Sequence, residues 1–241
     1  MKAAIFHEHG DPDVLQYTEI EDPVMNANEV LIEVKAVALN HLDLFIRAGI
    51  PGLDLVMPHI LGSDISGQVR EVGNKVESNL VKGQRVIVDP SLYCGRCEFC
   101  KAGEHSLCTS YQIVGEHVRG GYAELFTIKE ENIIPIPDRS GLDYVEAAAV
   151  PLTFMTAWRL LMSKGGLRAG DDVLIIGIGG GVALAAMEIA KVAGARVIVT
   201  SSSDTKLEKA RLLGADVLIN HISEPDFQKV VWKETDSRGV D

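Results

Sequence analysis

The pattern of hydrophobic and polar positions changes texture near Pro151. Ahead of it, short runs rich in β-branched residues are split by glycine, proline and charge: Val30–Val37 (VLIEVKAV), Gly67–Gly73 (GQVREVG), Arg85–Pro90 (RVIVDP) and Gly121–Ile128 (GYAELFTI). Runs of this kind predict strands, and their spacing predicts a compact, irregular barrel over residues 1–150. Beyond Pro151 the segments alternate in type. Thr153–Lys164 predicts a helix, and Asp171–Gly177 (DDVLIIG) a buried strand running into glycines. Val182–Val192 predicts a helix stopped by Gly194, and Arg196–Thr200 a second strand. Asp204–Leu213 predicts a helix closed by Gly214, Ala215–Ile219 a third strand, and Pro225–Glu234 a third helix. Gly239–Asp241 reads as the opening of a fourth strand. Strands alternating with helices predict a parallel sheet wound with helices over residues 151–241. The predicted class is therefore β followed by α/β. No internal repeat or low-complexity segment is visible.

Composition narrows the function classes. With 46% hydrophobic residues the chain can bury a core, and wholesale disorder is excluded. A formal net charge of −11 argues against a nucleic-acid partner, which calls for a basic face. It does not exclude an anionic cofactor, because a few local donors can hold a phosphate. The N-terminal MKAAIFHEHG turns polar at His7 and lacks the apolar run of an export signal. No window approaches the roughly 20 apolar residues of a membrane span. The expectation is a cytoplasmic protein with no membrane partner.

In a reducing compartment, clustered cysteines point to metal rather than disulfides. The four cysteines, Cys94, Cys97, Cys100 and Cys108, are spaced C-x2-C-x2-C-x7-C within one loop, residues 91–112. Four thiolates at this spacing suit a tetrahedral zinc, with Gly95 and Gly103 letting the backbone bend. An iron–sulfur cluster fits less well, since the ferredoxin run places its fourth cysteine sooner and before a proline. Two disulfides are the remaining alternative. A zinc with four protein ligands keeps no open position, so this site is expected to stabilise its loop and not to act as a Lewis acid.

A second cluster of small residues lies between the first predicted strand and helix of the C-terminal half. Ile176–Ala183 reads IGIGGGVA. Glycines there allow a tight turn and bring a pyrophosphate close to the backbone at a helix N-terminus. Val182 interrupts the strict G-x-G-x-x-G, whereas the frame Gly177-x-x-Gly180-x-x-Ala183 is kept. A tight connection that binds nothing is the other reading of these glycines; the strand–turn–helix context favours a dinucleotide, with Gly179, Gly180, Gly181 and Val182 at the pyrophosphate. An acidic residue about 20 positions further on would select NAD through its ribose 2′-hydroxyl. Ser201 stands there, with Ser202 and Lys206 nearby. Hydroxyls and an ammonium favour a 2′-phosphate, so NADP(H) is expected in preference to NAD(H). Ser203 or Asp204 would also cap the second helix.

The ordered set of barrel, four-cysteine lobe and glycine turn resembles the medium-chain dehydrogenase/reductase family over essentially the whole chain. The resemblance implies a GroES-like catalytic domain followed by a Rossmann domain, with hydride transfer in the cleft between them. It also implies that the sheet is unfinished at Asp241, since a full dinucleotide fold carries about six strands. A truncated longer chain is the expected explanation, and a half-fold completed by a partner the alternative.

The zinc alcohol dehydrogenases of this family hold a second, catalytic zinc. Its ligand positions match Asn40, Ser63 and the Pro151–Leu152 region here, a poor cage. Asn-x-x-Asp at Asn40–Asp43, Phe45–Gly49 (FIRAG), Gly62–Gly67 (GSDISG) and the Gly-Gly-Val-Ala turn look like the zinc-free quinone oxidoreductases and enone reductases, a branch that usually lacks the cysteine lobe. A tyrosine of that branch is His221 here. Without a Lewis acid an unactivated ketone is hard to reduce, whereas a conjugated carbonyl spreads the developing charge and needs only donors. The expected function is therefore NADP(H)-dependent hydride transfer to a quinone or enone. The alternatives are a zinc-type alcohol dehydrogenase and a non-catalytic nucleotide-binding fragment or sensor. Expected catalytic residues are Asn40 as donor to the substrate oxygen, Asp43 orienting His41 or a water, and Asp64 shaping the pocket. The resemblance adds His41 and Thr156 to the cofactor contacts. A small carbonyl substrate and a homo-oligomer at full length complete the expectation.

Overall fold

The computed structural model describes the whole chain, Met1–Asp241, which divides into two compact units, Met1–Leu152 and Thr153–Asp241. In the first unit, β1 (Lys2–Phe6) and β2 (Gln16–Glu19) form a small sheet with β4 (His59–Ile60). The main sheet is antiparallel and takes the order β10-β6-β5-β3-β9. Its strands are β3 (Glu29–Ala38), β5 (Asp64–Val72), β6 (Arg85–Val88), β9 (Leu125–Lys129) and β10 (Ile133–Pro135). Register shifts at Leu31/Ile32 and Val34/Ala36 bend the β3–β5 pair, and the sheet curls into a half-barrel. Val30, Ile32, Ile65, Val69, Val86 and Val88 alternate inward and close its core. Two short strands, β7 (Ser91–Leu92) and β8 (Gln112–Ile113), pair at the base of the cysteine loop.

Three helices belong to or end this unit. The sequence pattern did not reveal α1 (His41–Ala48), which buries only Asp43 and Ile46. The others are α2 (Glu98–Lys101), inside the cysteine loop, and α3 (Tyr144–Ala148), whose start is fixed by Asp143 accepting from the Glu146 N–H. The predicted helix over residues 153–164 begins earlier, as α4 (Pro151–Trp158), and continues as a π-helical turn over Arg159–Lys164. Pro151 suits a first helical position because its missing N–H would be unbonded there.

The second unit is a parallel sheet of order β11-β12-β13: β11 (Asp172–Ile175), β12 (Arg196–Ser201) and β13 (Val217–Asn220). α5 (Gly181–Val192), α6 (Asp204–Leu212) and α7 (Phe227–Glu234) join the strands and follow them. β12 is buried on both faces. Val197 and Val199 pack with Ala185, Ala186, Met187 and Ala190 of α5, while Ile198 packs with Ile219 and Val231 on the other face. Small residues along α5 let the helix approach the sheet closely. The predicted fourth strand is not formed. Residues 239–241 carry only one ladder-like bond, from the Asp241 N–H to the Asp172 carbonyl at 3.0 Å. No helix is long and apolar enough to cross a membrane.

Candidate functional site

In the first unit the chemistry gathers where the loop Leu61–Ser63 meets the start of α1. Asn40 precedes α1 and Asp43 lies in its first turn, where a carboxylate also favours the helix dipole. Asp43 is 4% exposed and accepts three hydrogen bonds: from Asn40 N–H (2.7 Å), Gly62 N–H (3.0 Å) and the Tyr122 hydroxyl (2.9 Å). His41, which Asp43 was expected to orient as an alternative to a water, is not among these partners. His41 is exposed on α1, its ring 6.5 Å from that of Phe45, and Asp43 instead ties the loop to the helix. Gly62 has φ +99°, and a Cβ there would lie 2.4 Å from the Tyr122 ring. Tyr122 is the member of this knot that the sequence reading missed. Burial and the facing Asp43 carboxylate raise its phenol far above the ordinary range.

Asp64, 1% exposed, is the second buried carboxylate. It accepts from Asn40 Nδ2 at 2.9 Å and from the Leu152 N–H at 2.7 Å. Burial raises its pKa, and these two donors work against that shift. Asn40 thus spends one amide N–H on Asp64, and an amide has a second. Ser63 sits between Gly62 and Asp64 with its hydroxyl buried and without a hydrogen-bond partner. Asn40, Ser63 and Leu152 do not fit a zinc ion: one offers an amide already engaged, one a hydroxyl and one a hydrocarbon.

The cysteine lobe does fit one. The sulfurs of Cys94, Cys97, Cys100 and Cys108 lie within 4.8 Å of one another, where a tetrahedral zinc with 2.3 Å bonds asks for about 3.8 Å. Backbone N–H groups already point at the sulfurs, from Cys97 to Cys94 (3.3 Å) and from Cys94 and Ser110 to Cys108 (both 3.4 Å). Donors from Arg96 and Cys97 hold the Cys94 thiol down to about 6, whereas burial pushes Cys100 up to about 12. Tyr93 stacks on His105 inside the lobe, with centroids 4.1 Å apart and planes 1° from parallel. A cavity of about 850 Å³ between the lobe and β9 is lined by His59, Tyr93, His117, Phe126 and Asn132; it contains neither Asn40, Asp43 nor Asp64.

The second unit brings the glycine turn together. The Gly177 N–H donates to both the Thr200 carbonyl and its Oγ1, each at 3.1 Å, and the Ile178 N–H to the same carbonyl at 2.8 Å. Fully buried Thr200 thus pins the turn to β12. Gly180 precedes α5, so Gly181 and Val182 head a helix whose first N–H groups have no intrahelical acceptor. Ser201 is buried and its Oγ accepts from the Ser203 N–H at 3.1 Å, which leaves Ser202 as the exposed hydroxyl at the end of β12. Ser203 caps α6 and Lys206 is exposed in its first turn. Thr156 is half-buried on α4, and His221 donates its N–H to the Ser201 carbonyl at 3.0 Å.

Comparison with known proteins agrees with this division of labour. Residues 26–138 match the model of the alcohol dehydrogenase GroES-like domain, and residues 181–241 that of the zinc-binding dehydrogenases. An alcohol dehydrogenase of Geobacillus stearothermophilus is 36% identical over 222 residues, 91% of this chain and 64% of its own length. The quinone oxidoreductase of Mus musculus is 31% identical over all of this chain and 65% of its own. The crystal structure of an NAD-dependent alcohol dehydrogenase is 46% identical with a TM-score of 0.94, covering 100% of this chain and 69% of that one. The chain thus spans about two thirds of the length of its relatives.

Proposed function

Since the chain belongs to the medium-chain dehydrogenase/reductase family, we propose that it is a nicotinamide-dependent oxidoreductase interconverting a small alcohol with its aldehyde or ketone. The observation that carries the reading is the glycine turn pinned by Thr200 at the head of α5, a seat for a pyrophosphate. A bound nicotinamide coenzyme would supply or accept the hydride. The chain's own residues bind and orient. Asp64 holds Asn40, and Asn40 offers its remaining N–H to the reacting oxygen. Asp43 and Tyr122 fix the loop that carries Ser63 and Asp64. The cysteine lobe would hold one zinc, which would stabilise the cysteine loop itself and leave no position for substrate.

Alcohol chemistry is placed ahead of quinone chemistry because two of the three relatives above are alcohol dehydrogenases. One observation favours quinone or enone reduction as a second reading. The set Asn40, Ser63 and Leu152 builds no Lewis-acid site, and a conjugated acceptor asks only for hydrogen-bond donors. We place NADP(H) ahead of NAD(H), since β12 ends in serines rather than a carboxylate. The NAD-dependent relative makes this the point to test. The experiment is a turnover panel with both coenzymes, using primary and secondary alcohols, aldehydes, ketones, quinones and enones. Turnover of alcohols or simple carbonyls supports the first reading. Turnover confined to quinones and enones supports the second. Coenzyme binding with no turnover anywhere would leave a nucleotide-binding protein.

A further inference from the structure

None of the four cysteines is in a disulfide, and their thiols differ in access. Cys94 and Cys97 are half-buried, whereas Cys100 and Cys108 are each 7% exposed. They differ in spacing too. The Cys97 and Cys100 sulfurs lie 3.5 Å apart, and those of Cys94 and Cys100 3.9 Å. Cys97 directly precedes α2 and Cys100 lies within it. The Lys101 N–H donates to the Cys97 carbonyl at 3.0 Å, so one helical turn sets this pair side by side. A thiol that solvent reaches, with a second one shielded behind it, is the arrangement in which an oxidised sulfur is captured before it oxidises further.

We propose that the Cys97–Cys100 pair is a reversible oxidation site for hydroperoxides, and that its oxidised form and a zinc ion in the lobe exclude one another. The Cys97 sulfur, the more open of the two, attacks a peroxide oxygen. The O–O bond breaks, one water leaves and Cys97 becomes a sulfenic acid. The Cys100 sulfur then attacks the Cys97 sulfur. An S–S bond forms, the S–O bond breaks and a second water leaves. Two thiols have lost two electrons and two protons, and the peroxide has been reduced to two waters. Closing the bond draws the sulfurs from 3.5 Å to about 2.05 Å, a short movement within one turn. Sulfurs joined in this way are no longer thiolates. Cys94 and Cys108 alone leave a zinc two ligands short of a closed tetrahedral site. Neither step involves a coenzyme or a carbonyl, so the lobe is testable whether or not the chain turns over a substrate.

The flanking sequence makes the pairing readable. Arg96 and Lys101 bracket the pair, so trypsin releases both cysteines in one peptide, residues 97–101. Cys94 falls in the peptide 86–96 and Cys108 in the peptide 102–119. The test treats the zinc-loaded 241-residue protein with hydrogen peroxide. It follows released zinc with a chromophoric chelator, free thiols by alkylation, and tryptic peptides by mass spectrometry without reduction. The expected result is loss of one zinc per chain together with a 97–101 peptide lighter by two hydrogens. Dithiothreitol followed by zinc is expected to restore both. Protein stripped of zinc beforehand is expected to form the same disulfide faster. A first disulfide joining 97–101 to either neighbouring peptide would overturn the inference. So would sulfinic or sulfonic acids without a disulfide, thiols that peroxide leaves untouched, or equal rates with and without zinc. A Cys97–Cys100 disulfide in protein that keeps its zinc, or a parent that takes up no zinc, would overturn the exclusion and the inference with it.

Discussion

Asn40 Nδ2 donates to Asp64 Oδ2 at 2.9 Å, joining the residue before α1 to the first residue of β5. The acceptor is buried, so removing the donor leaves a carboxylate oxygen without a partner. Asn40→Ala is expected to cost about 1–3 kcal/mol in stability, the range for orphaning a buried polar group. Urea unfolding measures it. Turnover is expected to fall further than stability explains, because the second amide N–H goes as well. A variant with parental turnover would remove Asn40 from the reaction.

The raised pKa of Asp64 has a definite sign in the pH dependence of stability. A carboxyl whose folded pKa lies above its ordinary value of 3.8 prefers the protonated form in the folded chain. Its favourable contribution is complete below that value and is lost as pH rises through the folded pKa. Asn at this position does not titrate. The stability of the parent minus that of Asp64→Asn should therefore decline as pH rises from the ordinary value of 3.8 through the raised folded one. Thermal melts of both proteins across that range decide it; a difference that grows with pH contradicts the assignment.

Gly62 and Tyr122 separate two ways of loosening the same loop. Tyr122→Phe deletes the hydroxyl bond to Asp43 and leaves that carboxylate two backbone donors, so a loss of about 1–2 kcal/mol is expected. Gly62→Ala places a Cβ 2.4 Å from the Tyr122 ring at a backbone angle of +99°, and both effects destabilise. Gly62→Ala should be the worse of the two by chemical denaturation. The double variant Gly62→Ala/Tyr122→Phe keeps the ring and should recover little. Equal losses for the two single changes would mean that the ring and the backbone angle matter less than the hydroxyl.

How far the site was legible in the sequence follows the range of its contacts. The clustering of the four cysteines was legible because they span only Cys94–Cys108 and the spacing brings their sulfurs within 4.8 Å of one another. The wound sheet was legible because glycines stop α5 and α6, and because Arg196–Thr200 is apolar enough for a strand buried on both faces. The knot around Asp43 was not. Asn40 lies 24 residues from Asp64, Asp64 lies 88 from Leu152, and Asp43 lies 79 from Tyr122. No local pattern encodes such pairings. α1 is amphipathic, with Leu42 and Ile46 on its packed face, but its eight residues are too few to stand out among the β-rich runs around it. The bond by which the Ser201 Oγ accepts from the Ser203 N–H is likewise not encoded in the motif that made Ser201 an expected coenzyme contact. The unformed strand at residues 239–241 shows the limit from the other side: a Gly-Val-Asp run signals a strand, but it carries only the bond from the Asp241 N–H to the Asp172 carbonyl.

The cysteine lobe gives a prediction independent of turnover. Purified protein should carry one zinc per chain by elemental analysis, released by a chelator with a drop in melting temperature, because metal bound to a site absent from the unfolded chain adds to folding stability. Cys100→Ser, at the most buried pair of ligands, should lose the zinc and show the same lowered melting temperature without chelator. Two zinc ions per chain would call for ligands beyond these four.

The last prediction separates backbone angle from side-chain support at the glycine turn. Gly177 has φ +78°, yet a Cβ there meets nothing within 4 Å. Gly177→Ala therefore adds no clash, and its cost is the left-handed backbone alone, about 1–2 kcal/mol. Thr200→Val does the reverse. It keeps the backbone and deletes Oγ1, while the Gly177 N–H retains the Thr200 carbonyl at 3.1 Å, so stability should change by less than about 1 kcal/mol. If the turn is the pyrophosphate seat, both variants weaken coenzyme binding, Gly177→Ala by straining the backbone of the turn and Thr200→Val, more mildly, by removing one of its two anchors to β12. A turn that only connects strand to helix would show the stability loss of Gly177→Ala with coenzyme affinity untouched in either variant.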